Sequence, residues 1–317
     1  MIYDFPSTKF SIKLAKKYGY DEFIVRRWLN FFKDDAIKII EKFERGIPRY
    51  LRINTIKISE DLLVHRLEKR GFKLEKTEVE YCYKILREPY SAGATPEFLL
   101  GYYYLMDKSS CIPPLVLDPK PGEIVVDLAA SPGGKTTFIS MLMENKGVVV
   151  AVEPQVDRIN ALIDNIHRMG VINVVVMKMD GRDLPKINIK PDKILLDAPC
   201  TGEGIIHKDP SRKTDRGSSD IEFCAKLQKQ LIISAFDSLK SGGELVYCTC
   251  SMTPEENELV VDYLIQNRDC KLLDIKFGVE PLILPELQNP KEVKKARRIF
   301  PHIHESSGFF IAKIKKI

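Results

Sequence analysis

D-L-A-A-S-P-G-G-K-T-T, running from Asp127 to Thr137, is the stretch on which the reading of this chain turns. Before it, Ile124, Val125 and Val126 form a β-branched run suited to a buried strand; after it, Phe138, Ile139, Leu142 and Met143 recur at helical spacing. The stretch is therefore a tight loop joining a strand to a helix. Gly133 and Gly134 let the backbone approach a ligand, the helix start offers unpaired N–H groups, and Asp127 sits at the strand's carboxyl end. Two ligands fit this turn alone. Ala129 to Thr136 satisfies a relaxed phosphate-loop pattern with Ala at the first Gly position, and K-I-L-L-D from Lys193 to Asp197 resembles the magnesium-binding strand of an NTPase. S-adenosylmethionine is the other candidate.

Outward from the loop the chain alternates. Strands are expected at Gly147 to Val152, Val174 to Met177, Ile194 to Asp197, Glu244 to Thr249 and Phe309 to Ile314. Helices are expected at Val156 to Met169, stopped by Gly170, at about Ile221 to Leu239, and at Pro254 to Gln266. Such alternation predicts an α/β fold, a doubly wound Rossmann-like sheet. Asp127, Glu153, Asp180 and Asp197 then fall at or just beyond the carboxyl ends of the first four strands, on one rim. An acid after the second strand suits ribose hydroxyls, whereas four carboxylates would repel a nucleoside triphosphate and tolerate a cationic sulfonium. The acids favour S-adenosylmethionine. Its expected contacts are Asp127, the loop Ala129, Ala130, Ser131, Pro132, Gly133, Gly134 and Lys135, then Glu153 on the ribose, Asp180 near the adenine amine and Asp197 near the methionine end.

Toward the N-terminus, Phe23, Ile24, Trp28, Phe31, Phe32, Ile37, Ile39, Ile40 and Phe43 recur at helical spacing, which gives a helical extension over residues 1–45. Residues 46–110 read as a small α+β unit and a bridge: strands at Tyr50 to Asn54, from Phe72 and at Tyr81 to Leu86, with a helix from Ser59 to Lys69. Its size and order resemble an RNA-recognition-type fold, a topology that hosts many functions. The bridge, Tyr90 to Pro114, holds the polar cluster Asp107, Lys108, Ser109 and Ser110, and residues 111–317 form the expected catalytic domain.

With 44% hydrophobic residues among 317, no apolar run long enough for a bilayer and no signal-like N-terminus, the composition is that of a cytoplasmic globular protein. A net charge of +5 is only mildly basic and by itself supports a nucleic-acid partner weakly. Nothing in the sequence demands more than a monomer. Seven cysteines, an odd and scattered set, do not resemble a disulfide framework. Cys82, Cys111, Cys224, Cys248 and Cys270 read as packed hydrophobes; Cys200, in D-A-P-C-T-G, and Cys250, in V-Y-C-T-C-S, follow strands and arrive at the rim of the acids. Cys200, Cys248 and Cys250 could together hold a metal, but no histidine has the spacing to complete a zinc site, so none is expected.

The P-G-G-K-T turn, the D-A-P-C loop and G-G-E-L-V-Y-C-T-C-S-M-T-P-E-E-N-E from Gly242 to Glu258 together resemble the Sun family of RNA cytosine-5 methyltransferases. R-I-N-T from Arg52 and P-H-I-H-E-S-S-G-F-F from Pro301 extend the resemblance, which covers the chain from about residue 48 onward. The family's usual Cys and Ala in the first motif are Ala129 and Ser131 here. The resemblance implies Cys250 as a nucleophile toward cytosine C6 and Cys200 as the thiol that assists release. Asp197 and Lys135 are expected to orient the base, and Arg158 aligns with an arginine the family keeps near the site, although it also reads as a surface charge. The implied partner is RNA, tRNA in preference to rRNA. His207, Lys208, Arg212, Lys213 and Arg216, with Lys291, Lys294, Lys295, Arg297 and Arg298, are candidates for phosphate contact, or else solvated charge. A phosphate-loop NTPase and a catalytically idle RNA-binding module are the rivals; neither gives a reason for both thiols.

Overall fold

A computed structural model describes residues 2–317. The chain divides into two compact units: residues up to Ile47 with Ala198–Ile232 and Cys248–Ala312 form one, and Pro48–Asp197 with Ile233–Tyr247 and Lys313–Ile317 form the other.

In the first unit α1 (Lys9–Tyr18), α2 (Glu22–Phe32) and α3 (Asp35–Arg45) open the chain. Thr8 caps α1 reciprocally with Ser11, each backbone N–H meeting the other's hydroxyl at 3.0 Å, and Gly19 closes the helix in the left-handed conformation. The apolar faces bury Leu14, Ile24, Val25, Trp28, Ile39, Ile40 and Phe43 in one core with Ile206, Met252 and Phe300. The helical extension thus shares a core with segments far along the chain.

The second unit starts with β1 (Tyr50–Ile53), α4 (Glu60–Lys69), β2 (Lys73–Lys76), β3 (Cys82–Arg87), α5 (Pro96–Leu99) and β4 (Tyr103–Leu105). They build an antiparallel sheet in the order β2-β3-β1-β4, over a core including Leu51, Ile53, Leu63, Leu67, Phe72 and Ile85. This β-α-β-β-α-β order is the RNA-recognition-type topology the sequence pointed to. The expected bridge is more structured than its composition suggests. It supplies β4 and then α6 (Lys108–Leu117), which contains Pro113 and Pro114; Asp107 caps α6 by accepting from the Ser109 N–H at 3.0 Å, and Cys111, Ile112, both prolines and Leu117 are buried. Packing there overrides the two backbone donors lost to proline.

The larger sheet follows with β5 (Ile124–Asp127), α7 (Gly134–Leu142), β6 (Val148–Val152), α8 (Val156–Met169), β7 (Val174–Met177), β8 (Lys193–Asp197), α9 (Ser218–Ser238), β9 (Glu244–Thr249), α10 (Glu258–Asn267), β10 (Cys270–Leu273), α11 (Pro290–Val293), β11 (Arg297–Ile299), α12 (Pro301–His304) and β12 (Phe309–Lys316). Its strand order is β10-β12-β9-β8-β5-β6-β7, with β11 on β12. β5 is central and pairs in parallel with β6 and β8, Asp127 lying beside Ala151 and Leu195. Glu153 and Asp197 therefore each stand two residues beyond Asp127's level. The chain leaves β5 toward β6 and β7, then returns to its other side at β8, so the reversal of strand order, the usual ligand position of such sheets, falls at Asp127. Val125, Val126, Val149, Val150, Val152, Leu195 and Leu196 of β5, β6 and β8 are buried on both faces, as parallel strands require. The helix expected from Pro254 starts as a 3-10 turn, Pro254–Glu256, and becomes α-helical only at Glu258. Among the described residues no helix is long and apolar enough to cross a membrane.

Candidate active site

The loop after β5 is shaped by backbone and fixed by side chains of its own unit. Gly133 adopts φ 100°, and a Cβ on Gly134 would lie 3.1 Å from the Tyr104 ring, so neither position accepts a larger residue without displacement. Arg158 Nη2 donates to the Ser131 carbonyl at 3.1 Å, Ser131 Oγ donates to the Arg158 carbonyl at 2.8 Å, and Asn165 Nδ2 donates to the Pro132 carbonyl at 2.9 Å. Ala130 N–H donates to the Val152 carbonyl, joining the loop to the end of β6. Arg158 is therefore more than a surface charge, since its Nη1 also stands 3.7 Å from Glu153 Oε2.

Asp127 is 1% exposed; Oδ2 accepts from Thr136 Oγ1 at 2.7 Å, while Oδ1 is buried with no hydrogen-bond partner among the described residues. Burial pushes its pKa up to about 6, against the opposing pull of the Thr136 bond and the Lys135 charge. Glu153, equally buried, accepts from the Gln155 N–H at 3.1 Å. Asp180 accepts from the Arg182 N–H and ion-pairs with its guanidinium at 2.7 Å, and that hydrogen bonding holds its pKa below the usual value. Lys135 Nζ stands 2.6 Å from Asp197 Oδ2, both partly buried. In a phosphate loop the lysine and the hydroxyl after it would serve phosphates and magnesium. Here Lys135 serves Asp197 and Thr136 serves Asp127. A spare buried acceptor at Asp127 and the buried Glu153 carboxylate suit a ligand bearing hydroxyl and amino donors, so the residues fit an adenosyl amino-acid cofactor.

In the other unit the two thiols come together: Cys200 Sγ and Cys250 Sγ are 3.1 Å apart and both are partly exposed. Cys82, Cys111 and Cys248 are buried, and burial pushes the half-buried Cys224 and Cys270 up to about 12 and 11. No cluster of three or more His, Cys, Asp or Glu among the described residues is arranged to hold a metal. Gly204 N–H donates to the Cys250 carbonyl at 2.8 Å, and a Cβ on Gly204 would meet the Gly308 carbonyl at 2.1 Å. The P-H-I-H-E-S-S-G-F-F motif thus supplies, through Gly308, the backbone against which the segment after Cys200 is pressed.

Much of the expected basic surface is internal bracing. Arg298 is 1% exposed and paired to Glu258 at 2.6 Å, Lys213 is paired to Glu44 at 2.7 Å, and Arg212 is bonded to Asp209 and the Thr201 carbonyl. His207 stacks on Phe43. Lys208 and Lys291 are exposed. Sequence reasoning also missed Arg27, buried and paired to Glu255 at 2.7 Å; Trp28, whose Nε1 donates to Glu203 Oε2 at 3.1 Å; and Glu203, pushed up to about 7 by burial. The helical spacing of residues 22–32 marks Trp28 as core, but nothing local identifies its partner.

Strand order, glycine loop and acidic rim define a class I methyltransferase fold. A family model for the 16S rRNA methyltransferase RsmB/F matches residues 114–315, and the chain belongs to that family, in agreement with the resemblance read from its motifs. A 28S rRNA (cytosine-C(5))-methyltransferase of Mus musculus is 40% identical over 313 residues, 96% of this chain but only 40% of that protein, so the chain spans less than half of this relative. A tRNA (cytosine(49)-C(5))-methyltransferase of Pyrococcus abyssi is 40% identical over 292 residues, 89% of this chain and 93% of that protein. Among solved structures, a methyltransferase homolog protein from Pyrococcus horikoshii superposes with a TM-score of 0.90 at 42% identity, covering 98% of this chain and 100% of that one.

Proposed function

We propose that the protein transfers a methyl group from S-adenosylmethionine to C5 of a cytidine in RNA. The observation that carries this reading is the pair of partly exposed thiols, Cys200 and Cys250, 3.1 Å apart at the ends of two strand-to-loop turns. C5 of cytosine is too weak a nucleophile to take a methyl group unaided. The Cys250 thiolate adds to C6, forming a C–S bond and turning C5 into an enamine-like carbon. S-adenosylmethionine supplies an electrophilic methyl group when bound. Asp197 hydrogen-bonds the base at its ring nitrogen or exocyclic amine as charge builds, the amine donating to the carboxylate, and Lys135, its partner at 2.6 Å, steadies that carboxylate. C5 would take that methyl group with S-adenosylhomocysteine as the leaving group; C5 then gives its proton to a base, a part the Cys200 sulfur is placed to play 3.1 Å from Cys250 Sγ, the electrons re-form the C5–C6 double bond, and the C–S bond breaks to return the Cys250 thiolate. Cys200 assists that departure.

The cofactor would be held by Asp127 and the loop Ala129 to Lys135, with Glu153 serving its ribose hydroxyls, Asp180 its adenine amine and Asp197 its methionine end, and Arg158 steadying the loop. Substrate RNA must present the base unpaired or flipped. Relatives named for tRNA and for rRNA are each 40% identical to this chain, so both RNAs fit the reading, and tRNA is the substrate taken first. The seven unbridged cysteines support a reducing, cytoplasmic setting. The test is transfer of labelled methyl to unmodified tRNA and rRNA in parallel, followed by nucleoside analysis. 5-Methylcytidine in tRNA is expected; label in rRNA alone would change the substrate, and label in neither would overturn the reading.

A further inference from the structure

The two thiol-bearing turns are fastened to a single buried carboxylate. Glu256 is fully buried, and its two oxygens accept five hydrogen bonds. Oε2 accepts from the Thr201 N–H at 3.0 Å and from Gln228 Nε2 at 2.8 Å. Oε1 accepts from Thr201 Oγ1, from Ser251 Oγ at 2.8 Å and from Thr253 Oγ1 at 3.1 Å. Thr201 directly follows Cys200, and Ser251 directly follows Cys250. Gln228 Nε2 also donates to the Pro199 carbonyl at 2.8 Å, so the Cys200 segment is held on both sides through groups that converge on Glu256.

We propose that Glu256 is a positioning residue that sets the Cys200–Cys250 spacing and thereby governs how quickly a covalent RNA adduct is released. It touches no reacting atom. The two turns differ in what else holds them. Cys250 comes straight off β9, and Asn257 fixes its flank by accepting from Thr249 Oγ1 at 2.6 Å and donating to the Ser251 carbonyl at 3.0 Å. Cys200 lies three residues past β8; behind it the Ala198 N–H donates to the Cys248 carbonyl, ahead of it Arg212 donates to the Thr201 carbonyl, and between these the carboxylate takes both the N–H and the hydroxyl of Thr201, the residue next to the thiol. Loosening Glu256 therefore moves Cys200 more than Cys250, and the release step suffers more than the attack. The kinetic half of this inference rests on the proposed reaction; the spacing half does not.

Glu256→Gln keeps the shape but turns one oxygen into a donor facing three hydroxyls, and Glu256→Asp is one methylene too short to reach both turns. The first measurement is closure of the thiol pair in the full-length protein by oxidised glutathione, two thiols becoming one disulfide as one glutathione disulfide becomes two glutathiones, followed by peptide mass mapping of the Cys200–Cys250 link. Both variants are expected to close about tenfold more slowly than the unmodified protein, the scale on which misplacement of about an ångström acts. Val260→Ala, a cavity in α10 at a buried side chain that makes no polar bond in this network, serves as a control for lost stability and should close at the unmodified rate. Closure of both Glu256 variants at the unmodified rate, or equal slowing in Val260→Ala, would overturn the proposal. The second measurement is the lifetime of the denaturation-resistant RNA adduct, expected to lengthen about tenfold in Glu256→Gln while adduct formation changes less than about threefold. Equal slowing of both steps would also overturn it. Absence of any adduct or 5-methylcytidine from the unmodified protein would strike the proposed reaction instead, with thiol closure still deciding the role of Glu256.

Discussion

The cofactor loop and the thiol turns are built by opposite means. Asp127 to Thr137 is a local construction, in which two glycines, a helix start and an acid at a strand end lie within eleven consecutive residues. The thiol turns are a long-range construction, joined by a carboxylate 55 residues from the threonine it holds. The first depends on backbone conformation that few residues can adopt; the second depends on a buried polar network in which each donor must find its acceptor. Chemistry that needs a shaped cradle can be written in one stretch of chain, whereas chemistry that needs two nucleophiles a few ångströms apart requires distant segments to be brought together.

The largest effect that would sharpen this contrast is at the thiols. Cys250→Ala is expected to lower methyl transfer by more than about 10³-fold and to form no denaturation-resistant RNA adduct, while Cys200→Ala accumulates one. Adduct seen only when Cys250 is removed would reverse the two roles.

Next comes the ion pair buried in the same unit. Arg298→Met leaves Glu258 charged and unpaired at 0% exposure, a loss expected to be about 3–5 kcal/mol in denaturant unfolding. A loss under about 1 kcal/mol would mean that this unit does not depend on its buried charges.

Asp127 makes a smaller, pH-dependent test of the cofactor side. Its folded pKa, about 6, lies above the ordinary 3.8, so the stability this group contributes is complete below about pH 4 and is lost as the pH rises through 6. Asp127→Asn removes that loss. Its stability relative to the unmodified protein should improve by about 2 kcal/mol between pH 4 and pH 7, measured without cofactor, and a flat difference would show that Asp127 is not protonated in this range. The smallest effect is expected for Arg158→Ala, a half-exposed residue bracing the loop through the Ser131 carbonyl. Affinity for S-adenosylmethionine should fall about threefold by calorimetry; no change would leave the loop held by Asn165 and its own turns.

The same contrast explains what could be read beforehand. β5 to β8, α8 and β9 are legible because apolar runs and 3.6-residue spacing are local signals, and the span Val156–Met169 emerges unchanged. β4 and β11 are three residues long, too short for any period to register; β10 is as long as β7 but its C-K-L-L is not the continuous apolar run that marks β7; and α6 is disguised by adjacent prolines. The site divides similarly. Acids, glycines and both cysteines are recognisable by position in the pattern, but Arg298 reads as one more surface charge in K-K-A-R-R and is instead wholly internal. Nothing in P-E-E-N-E distinguishes Glu256, which holds the thiol turns, from Glu255, which pairs with Arg27; that difference exists only once segments far apart in sequence have met.

The core that joins the N-terminal helices to Ile206, Met252 and Phe300 also bears on the chain's birth. During synthesis α1 to α3 emerge well before the surfaces they cover, Ile206 following the end of α3 by about 160 residues, while the small antiparallel sheet has its strands early. The nascent protein can therefore assemble its recognition-type sheet well before its thiol pair is in place. A ribosome that stalls midway releases a chain holding much of the glycine loop's scaffold but without the thiol pair on which the proposed capture of RNA depends.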